Sequence, residues 1–392
     1  MAHGDPDARV GAGRHRLLTL LECAGPLTRS ELTERMGLPA TTVAGMVSEL
    51  VRARLVVERE TPARGVGRPP RVLEPAGPAP VVALLARRDG RLRGAVATLS
   101  GGLIAERSRP VGDGQALDAP LLAEAAELLR TTLGEAGISP TRLFAVVVSV
   151  ARPRPHDVDL SALGERLEKP VVPENDANLG ALGEAEFGAG RGLDSFVYVM
   201  LGHGVGAGLV VGGRLHRGAS GFAGELGHVQ VQEQEDGPLC VCGGRGCLGC
   251  HIGTSLHDFV HRAYAARLSV PEVLSLAARR EPGVRRVFAD LGRMVGKPLA
   301  GLCTMLDPAA VVVDGSLGAA GEPVMAGIRE ELDRHAAPAV ADSVRVVAGE
   351  LGERAELLGA VALVRRWTLD ATLPASRRDP AVAAASALAA AR

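Results

Sequence analysis

The sequence predicts an α/β protein with a small helical domain and a two-stranded wing at its N-terminus. Three observations lead to this class. Residues 14–76 hold three short helix-patterned segments followed by two short apolar strands. From Val81 onward, β-branched apolar runs alternate with helix-patterned ones, the order that builds a sheet with helices packed on it. Four of the six cysteines fall within the glycine-rich stretch GELGHVQVQEQEDGPLCVCGGRGCLGC, which begins at Gly224 and ends at Cys250.

Residues before Gly13 are small and charged and are expected to be disordered. Leu17, Leu18, Leu20 and Leu21 then give a first helix its apolar face, and Gly25-Pro26 stops it. A second helix starts near Thr28 or Arg29, turns Leu32 and Met36 inward and ends at Gly37. Pro39 opens a third, where its missing N–H has no helical partner to lose. Val43, Met46, Val47, Leu50 and Val51 make the inner face of this third helix. Two strands follow at residues 55–58 and 71–74, joined by an arginine-rich turn.

Three helices and a two-stranded wing make a winged helix-turn-helix. A small helical protein-interaction domain is the competing reading. The wing tip, Arg64-Gly65-Val66-Gly67-Arg68-Pro69-Pro70-Arg71, argues for the first, because such a narrow segment suits guanidinium groups laid along phosphates or into a minor groove. Between Arg14 and Arg71 there are ten arginines against six acidic residues, whereas the whole chain has a formal charge of −1. Nucleic-acid binding is therefore expected to be local to this domain. The expected contacts are Arg29, Arg64, Arg68 and Arg71, with Ala40, Thr41, Thr42, Gly45 and Ser48 along the third helix. That face lacks Arg, Asn and Gln for bidentate base reading, so discrimination is expected to lean on wing arginines and DNA shape.

The composition sets wide bounds. At 392 residues the chain is long enough for two or three domains. Aromatic residues are only 2% of the chain, so Leu, Val and Ala must fill the core. The N-terminal residues lack the apolar run of a signal peptide, and no apolar run reaches bilayer length, so a soluble cytoplasmic protein is expected. Cys23 and Cys303 stand alone in apolar surroundings and read as core residues.

His228, Cys240, Cys242 and Cys247 offer one imidazole and three thiolates, the donor set of a closed, structural zinc site. Gly243, Gly244 and Gly246 let the chain fold ligands this close together onto one ion. The competing reading is a glycine loop with buried or disulfide-bonded cysteines, although disulfides are rare in the cytosol.

In the rest of the chain, GPAP at residues 77–80 reads as a linker. Strands are expected at 81–86, 92–99, 102–107 and 144–150, with a helix at 121–133 between the last two. Residues 171–178, VVPENDAN, open a helix at 179–187; Asp176 there reads equally as a helix N-cap or as a site residue. A strand at 195–201 leads into a glycine turn at 202–208, which is weak ground for phosphate binding. After the cysteine stretch come helices at 255–268, 271–278 and 284–306, a strand at 310–313 and a closing helix at 351–367. Residues 368–392 read as a mobile Ala- and Arg-rich tail.

GELGH followed by CVCGGRGCLG resembles the signature of the ROK family (repressors, uncharacterised reading frames and sugar kinases). Asn175-Asp176-Ala177-Asn178 resembles a second motif of that family. The resemblance implies a two-lobed actin-like (ribonuclease-H-like) ATPase-fold body, with lobes at 77–174 and 175–367 behind a DNA-binding domain at 1–76. It implies zinc on His228, Cys240, Cys242 and Cys247. It further implies a sugar held by Asn175, Asp176, Glu225 and His228, with Asp176 at the position of the kinases' general base. Two departures stand out. Gly249 occupies the place of the family's last sugar-binding glutamate. Ala86, Arg88 and Gly90 occupy the places of the Asp-x-Gly-x-Thr phosphate motif, and His203 that of a second phosphate contact.

The expected function is thus a transcriptional regulator, a repressor rather than an enzyme, that binds a double-stranded DNA operator as a homodimer or homotetramer and answers to a sugar or sugar phosphate. Two rival readings are an active sugar kinase with a DNA-binding appendage, and a regulator that has lost its sugar and answers to a protein or redox signal.

Overall fold

A computed structural model of the chain describes residues 17–21 except 19, 25–60 except 54, 71–112 except 77–79 and 89, and 118–151. It also describes 158–252 except 203 and 232–236, 270–314 except 280, and 321–370. The residues expected to be disordered before Gly13, the wing tip up to Pro70, the helix expected at 255–268 and the tail beyond Asp370 lie outside these; residues 368–370, expected to begin the mobile tail, instead end the last helix.

In the N-terminal segment Leu17, Leu18, Leu20 and Leu21 are helical. A two-residue strand β1 (Leu27–Thr28) leads into α1 (Arg29–Met36), then α2 (Ala40–Arg52) and the hairpin β2 (Val56–Glu60) and β3 (Arg71–Pro75). Thr28 caps α1 with a full capping box: its hydroxyl accepts the Glu31 N–H and the Glu31 carboxylate accepts the Thr28 N–H. Such a cap contributes about 1 kcal/mol. Gly37 ends the helix in the left-handed region at φ 64°. The three strands pair antiparallel in the order β1-β3-β2. The leucines of the first helix, Leu32 and Met36 of α1 and Val43, Met46, Val47 and Leu50 of α2 enclose one core with Leu27, Val56 and Leu73. Val51, expected on the inner face, is instead exposed.

Two five-stranded sheets follow, and they share one plan. The first comprises β4 (Val81–Arg88), β5 (Arg91–Thr98), β6 (Leu103–Pro110), β7 (Leu143–Val150) and β8 (Val171–Asn175), in the order β6-β5-β4-β7-β8. The second comprises β9 (Phe196–Leu201), β10 (Val205–Val211), β11 (Arg214–His216), β12 (Ala310–Asp314) and β13 (Arg345–Ala348), in the order β11-β10-β9-β12-β13. In each, three antiparallel strands are followed by a strand parallel to the first of them. The fold is therefore an internally duplicated α/β unit.

The first sheet is covered by α3 (Ala119–Glu135), whose Leu121, Leu122, Ala125, Leu129 and Leu133 meet Val81, Ala83, Leu92 and Val146. α4 (Ser161–Leu167) joins the same core through Leu163. On the second sheet, α5 (Asp176–Phe187) lies against β9 and β10, while α6 (Val270–Ala278), α7 (Pro282–Leu306) and α8 (Glu322–His335) belong to a separate apolar cluster. α9 (Pro338–Ser343) and α10 (Ala355–Asp370) complete the chain as described. By contacts the chain divides into two compact units: residues 1–150, 156–174 and 360–392 form one, and residues 151–155 and 175–359 the other.

A second expectation fails. The glycine turn expected at 202–208 is in large part strand, since β10 begins at Val205. The reason is steric: a Cβ on Gly208 would lie 2.5 Å from the Ala181 Cβ and 2.7 Å from the Ala177 carbonyl. Glycine there lets α5 rest directly on the sheet.

Candidate functional site

The cysteine stretch is built on β10. A Cβ on Gly224 would stand 2.0 Å from the carbonyl oxygen of Ala207, and Gly224 has φ 90°, so only glycine permits this approach. The contact locks the short 3-10 turn Leu226–His228 against the strand and aims Glu225 and His228 from it. Downstream, Gln230 bridges to Cys247 and Leu239 to Arg245, while Gly243 and Gly246 turn with positive φ. Backbone bonds from Cys240 N–H to the Gly244 carbonyl (2.8 Å) and from Gly243 N–H to the Cys240 carbonyl (2.9 Å) close the loop.

These turns gather His228, Cys240, Cys242 and Cys247, whose donor atoms all lie within 4.8 Å of one another. His228 Nδ1 is 3.4 Å from Cys240 Sγ, and Cys242 Sγ is 3.7 Å from Cys247 Sγ. Zinc–sulfur bonds of about 2.3 Å in a tetrahedron place two sulfurs roughly 3.8 Å apart. The residues present therefore fit zinc, and a sulfur–sulfur separation of 3.7 Å is too long for a Cys242–Cys247 disulfide. Burial pushes the Cys247 thiol to about 12, with its hydrogen bonds to Cys242 and Cys240 adding to the rise. A metal ion would supply the positive charge that lets this thiol ionise. Cys250, half-buried, points its Sγ toward the Leu239 carbonyl at 4.0 Å and is not one of the four clustered donors.

His228 has a second neighbour. Its Nε2 is 3.7 Å from the Glu225 carboxylate, so the imidazole stands between the thiol cluster and Glu225. A carboxylate behind a ligating imidazole fixes its orientation and raises its basicity. Burial raises the Glu225 carboxyl above its usual range, and His228 pulls it the other way.

The second predicted motif sits at the start of α5. Asn175, not Asp176, is its N-cap: the Asn175 side chain accepts the Asn178 N–H at 3.0 Å. Asp176 is the first helical residue, half-buried, and its Oδ1 accepts the Ala177 N–H at 2.8 Å. A carboxylate there is stabilised by the helix dipole. α5 meets β10 through Ala177 on Gly206 and Gly208, and the Glu225 turn meets the same strand through Gly224, so β10 carries both halves of the predicted sugar set. A side chain at position 249 would begin 3.2 Å from the Gly227 carbonyl, beside the same turn.

Sequence reasoning missed the buried charged groups of this unit, of which Glu184 is the most enclosed. Glu184 on α5 is fully buried and accepts N–H groups from Ala189 and Leu351, next to Asp314, which takes a hydrogen bond from the Tyr198 hydroxyl at 3.2 Å. The signal was available: Gly188 and Gly190 follow Glu184 closely, and both pack where a side chain would collide.

In the N-terminal domain Ala40, Thr41, Gly45 and Ser48 are exposed along α2 and Thr42 is half-buried. The Ser48 hydroxyl donates to the Ala44 carbonyl at 2.9 Å, so it offers a duplex its lone pairs rather than its hydrogen. Arg29 and Arg71 are exposed and ion-paired, the first to Glu58 and the second to Glu60. Arg64, Arg68 and His203 lie outside the described residues. Ala86 is buried on β4 opposite Arg93, and Arg88 pairs in register with Arg91.

A duplicated α/β body whose second half holds a Cys3His cluster has the plan of an actin-like fold. The chain belongs to the ROK family, whose model matches residues 121–367. It is 26% identical over 370 residues to a xylose repressor of Bacillus subtilis, covering 88% of this chain and 92% of that protein. It is 34% identical over 227 residues to a glucokinase of Thermotoga maritima, covering 54% of this chain and 71% of the other. Among solved structures, a ROK family transcriptional regulator, a homologue of the E. coli Mlc protein, matches with a TM-score of 0.70 at 24% identity, covering 93% of this chain and 98% of its own.

Proposed function

We propose that this chain is a DNA-binding transcriptional repressor of the ROK family, with residues 1–76 as a winged helix-turn-helix and a body that senses a sugar or sugar phosphate without phosphorylating it. The observation that carries the reading is the extent of the repressor match. A match over 88% of the chain is longer than residues 77–392 and so includes part of the N-terminal domain, whereas the glucokinase match covers 54%. The exposed small and hydroxyl residues of α2 suit a helix that lies in a major groove.

His228, Cys240, Cys242 and Cys247 would hold zinc, which when bound cross-links the loop and contributes to folding free energy. Asn175, Asp176 and Glu225 are the hydroxyl-binding set, and Glu225 reaches the zinc loop through His228. The operator contacts are Arg29, Arg64, Arg68 and Arg71 with the α2 face, read by a homodimer or homotetramer on related half-sites. Phosphoryl transfer depends on positioning and charge stabilisation of the phosphates. Ala86, Arg88 and Gly90 supply neither the carboxylate nor the hydroxyl of the kinase motif, so the reading excludes an active kinase.

The test is paired. Purified full-length protein is expected to enrich discrete fragments from a genomic DNA library, while hexose-dependent ATP turnover stays far below the roughly 1–100 per second of kinases. Kinase-level turnover would overturn the reading, as would the absence of enriched DNA. Gly249 favours one second reading, a regulator that has lost its sugar, because it removes a carboxylate from the pocket.

A further inference from the structure

Arg29 and Arg71 come from different elements, the first residue of α1 and the first residue of β3. Both converge on Glu58 of β2. Arg29 Nε and Nη2 stand 2.8 and 2.6 Å from Glu58 Oε1, and Arg71 Nη1 stands 3.9 Å from Glu58 Oε2. Arg71 also holds Glu60, with Nε and Nη2 at 3.3 and 3.2 Å from Oε1. The order from inside outward decides what the cluster can do. The Glu58 side chain is 26% exposed, whereas those of Arg29 and Arg71 are 45% and 52% exposed. The carboxylate is the inner member and the guanidinium groups face solvent.

Exposed ion pairs of this kind add little to stability. What Glu58 changes is the outward charge: two arginines matched by Glu58 and Glu60 leave this part of the surface near neutral, so it releases few counterions on meeting a duplex. Each guanidinium has five N–H donors, and Arg29 uses two of its five on Glu58, so a phosphate can be bound without breaking the pair.

We infer that Glu58 is a positioning and tuning residue for DNA binding: it holds Arg29 and Arg71 together across α1 and the hairpin while cancelling charge, which keeps binding to arbitrary duplex weak. The inference rests on the DNA-binding reading above. Affinity contributed by Arg29 and Arg71 is then realised at sites whose phosphates meet the held guanidinium groups, and little is gained elsewhere.

The experiment measures binding of the full-length protein to a random-sequence duplex across a salt titration, for wild type, Glu58→Gln, Glu58→Asp and Glu124→Gln. Glu58→Gln is expected to bind roughly three- to tenfold tighter, the effect of one unit charge about 6 Å from a phosphate in a watery setting. Its slope of log K against log salt is expected to steepen by about 0.9, the value for one additional counterion released. Glu58→Asp keeps the charge and is expected to match wild type. Glu124→Gln makes the same charge change on α3, opposite Arg109, and is expected to have no effect. The inference is overturned if Glu58→Gln binds as wild type or more weakly, if Glu58→Asp shows the same gain, or if Glu124→Gln does. A wild-type protein that binds no duplex at any salt would defeat the underlying DNA-binding reading instead.

Discussion

Gly45 lies in the middle of α2, exposed, with nothing within 4 Å of the place a Cβ would occupy. Glycine inside a helix costs about 0.5–1 kcal/mol relative to alanine, and no packing against the described residues requires it. In the proposed DNA-binding reading, its use is close approach of the helix backbone to a duplex. Gly45→Ala is expected to raise stability by about 0.5–1 kcal/mol in denaturant melts and to weaken operator binding. An alanine variant with undiminished operator affinity would show that the backbone does not come close. At the metal loop, Cys242→Ser is expected to lower both bound zinc and melting temperature, measured by metal analysis and thermal unfolding; a variant with full zinc content would remove Cys242 from the ligand set. These residues were legible because local chemistry names them: a glycine in a helical pattern, and thiols at ligand spacing. The Thr28 cap and the Gly37 stop were legible for the same reason. The pairing of Arg29 with Glu58 was not, since its partner is 29 residues away and a surface ion pair leaves no periodic trace.

Elements show where local reading stops. Helix and strand types were visible from the apolar period, and α1, α2, α3 and α7 stand close to where the pattern put them. β10 was misread because glycine spacing signals turns, whereas Gly206 and Gly208 here serve the approach of α5, which only the packed structure reveals. Glu184 on α5 is the clearest energetic consequence of that packing. Burial raises its carboxyl from 4.5, and the neighbouring Asp314 adds to the rise against the N–H bonds from Leu351 and Ala189. An acid whose folded value is raised contributes stability that is fully present below 4.5 and lost as pH rises through the folded value. Between those two values the folded protein holds a proton the unfolded chain has released, so stability falls with pH. Glu184→Gln cannot titrate, and its profile of unfolding midpoint against pH is expected to be flatter over that window, at a lower absolute stability because an amide N–H would face backbone donors. Identical slopes for the two proteins would show that Glu184 titrates alike in both states.

In the proposed reading, ligand-holding residues on the second sheet must act on the N-terminal domain at the other end of the sequence. Two arrangements of one strand, β10, bear on this. It carries the N-terminus of α5, with Asn175 and Asp176, and it anchors the turn that aims Glu225 and His228. A ligand hydroxyl accepted by Glu225 would act on a carboxylate that already stands 3.7 Å from the His228 ring, and that ring faces Cys240. In the proposed reading, sugar binding and the metal loop are then one coupled unit. A ligand changes DNA affinity only by its differential affinity for the DNA-binding and released states, typically 5- to 150-fold, and the duplex must change ligand affinity by the same factor. In that reading the carboxylate missing at Gly249 costs about 1.5–3 kcal/mol, so ligand binding is expected to be weak unless a ligand phosphate compensates. The expected outcome is that one of a panel of sugars and sugar phosphates releases the protein from its selected operator, and that Glu225→Ala abolishes the release while leaving operator affinity in the absence of ligand unchanged. Titrating the same ligand in the presence and absence of operator checks reciprocity independently, because the two coupling factors must agree. If Glu225→Ala responds as wild type does, the ligand is sensed by residues other than this set; if no ligand of the panel releases the wild-type protein, a protein or redox signal takes the sugar's place.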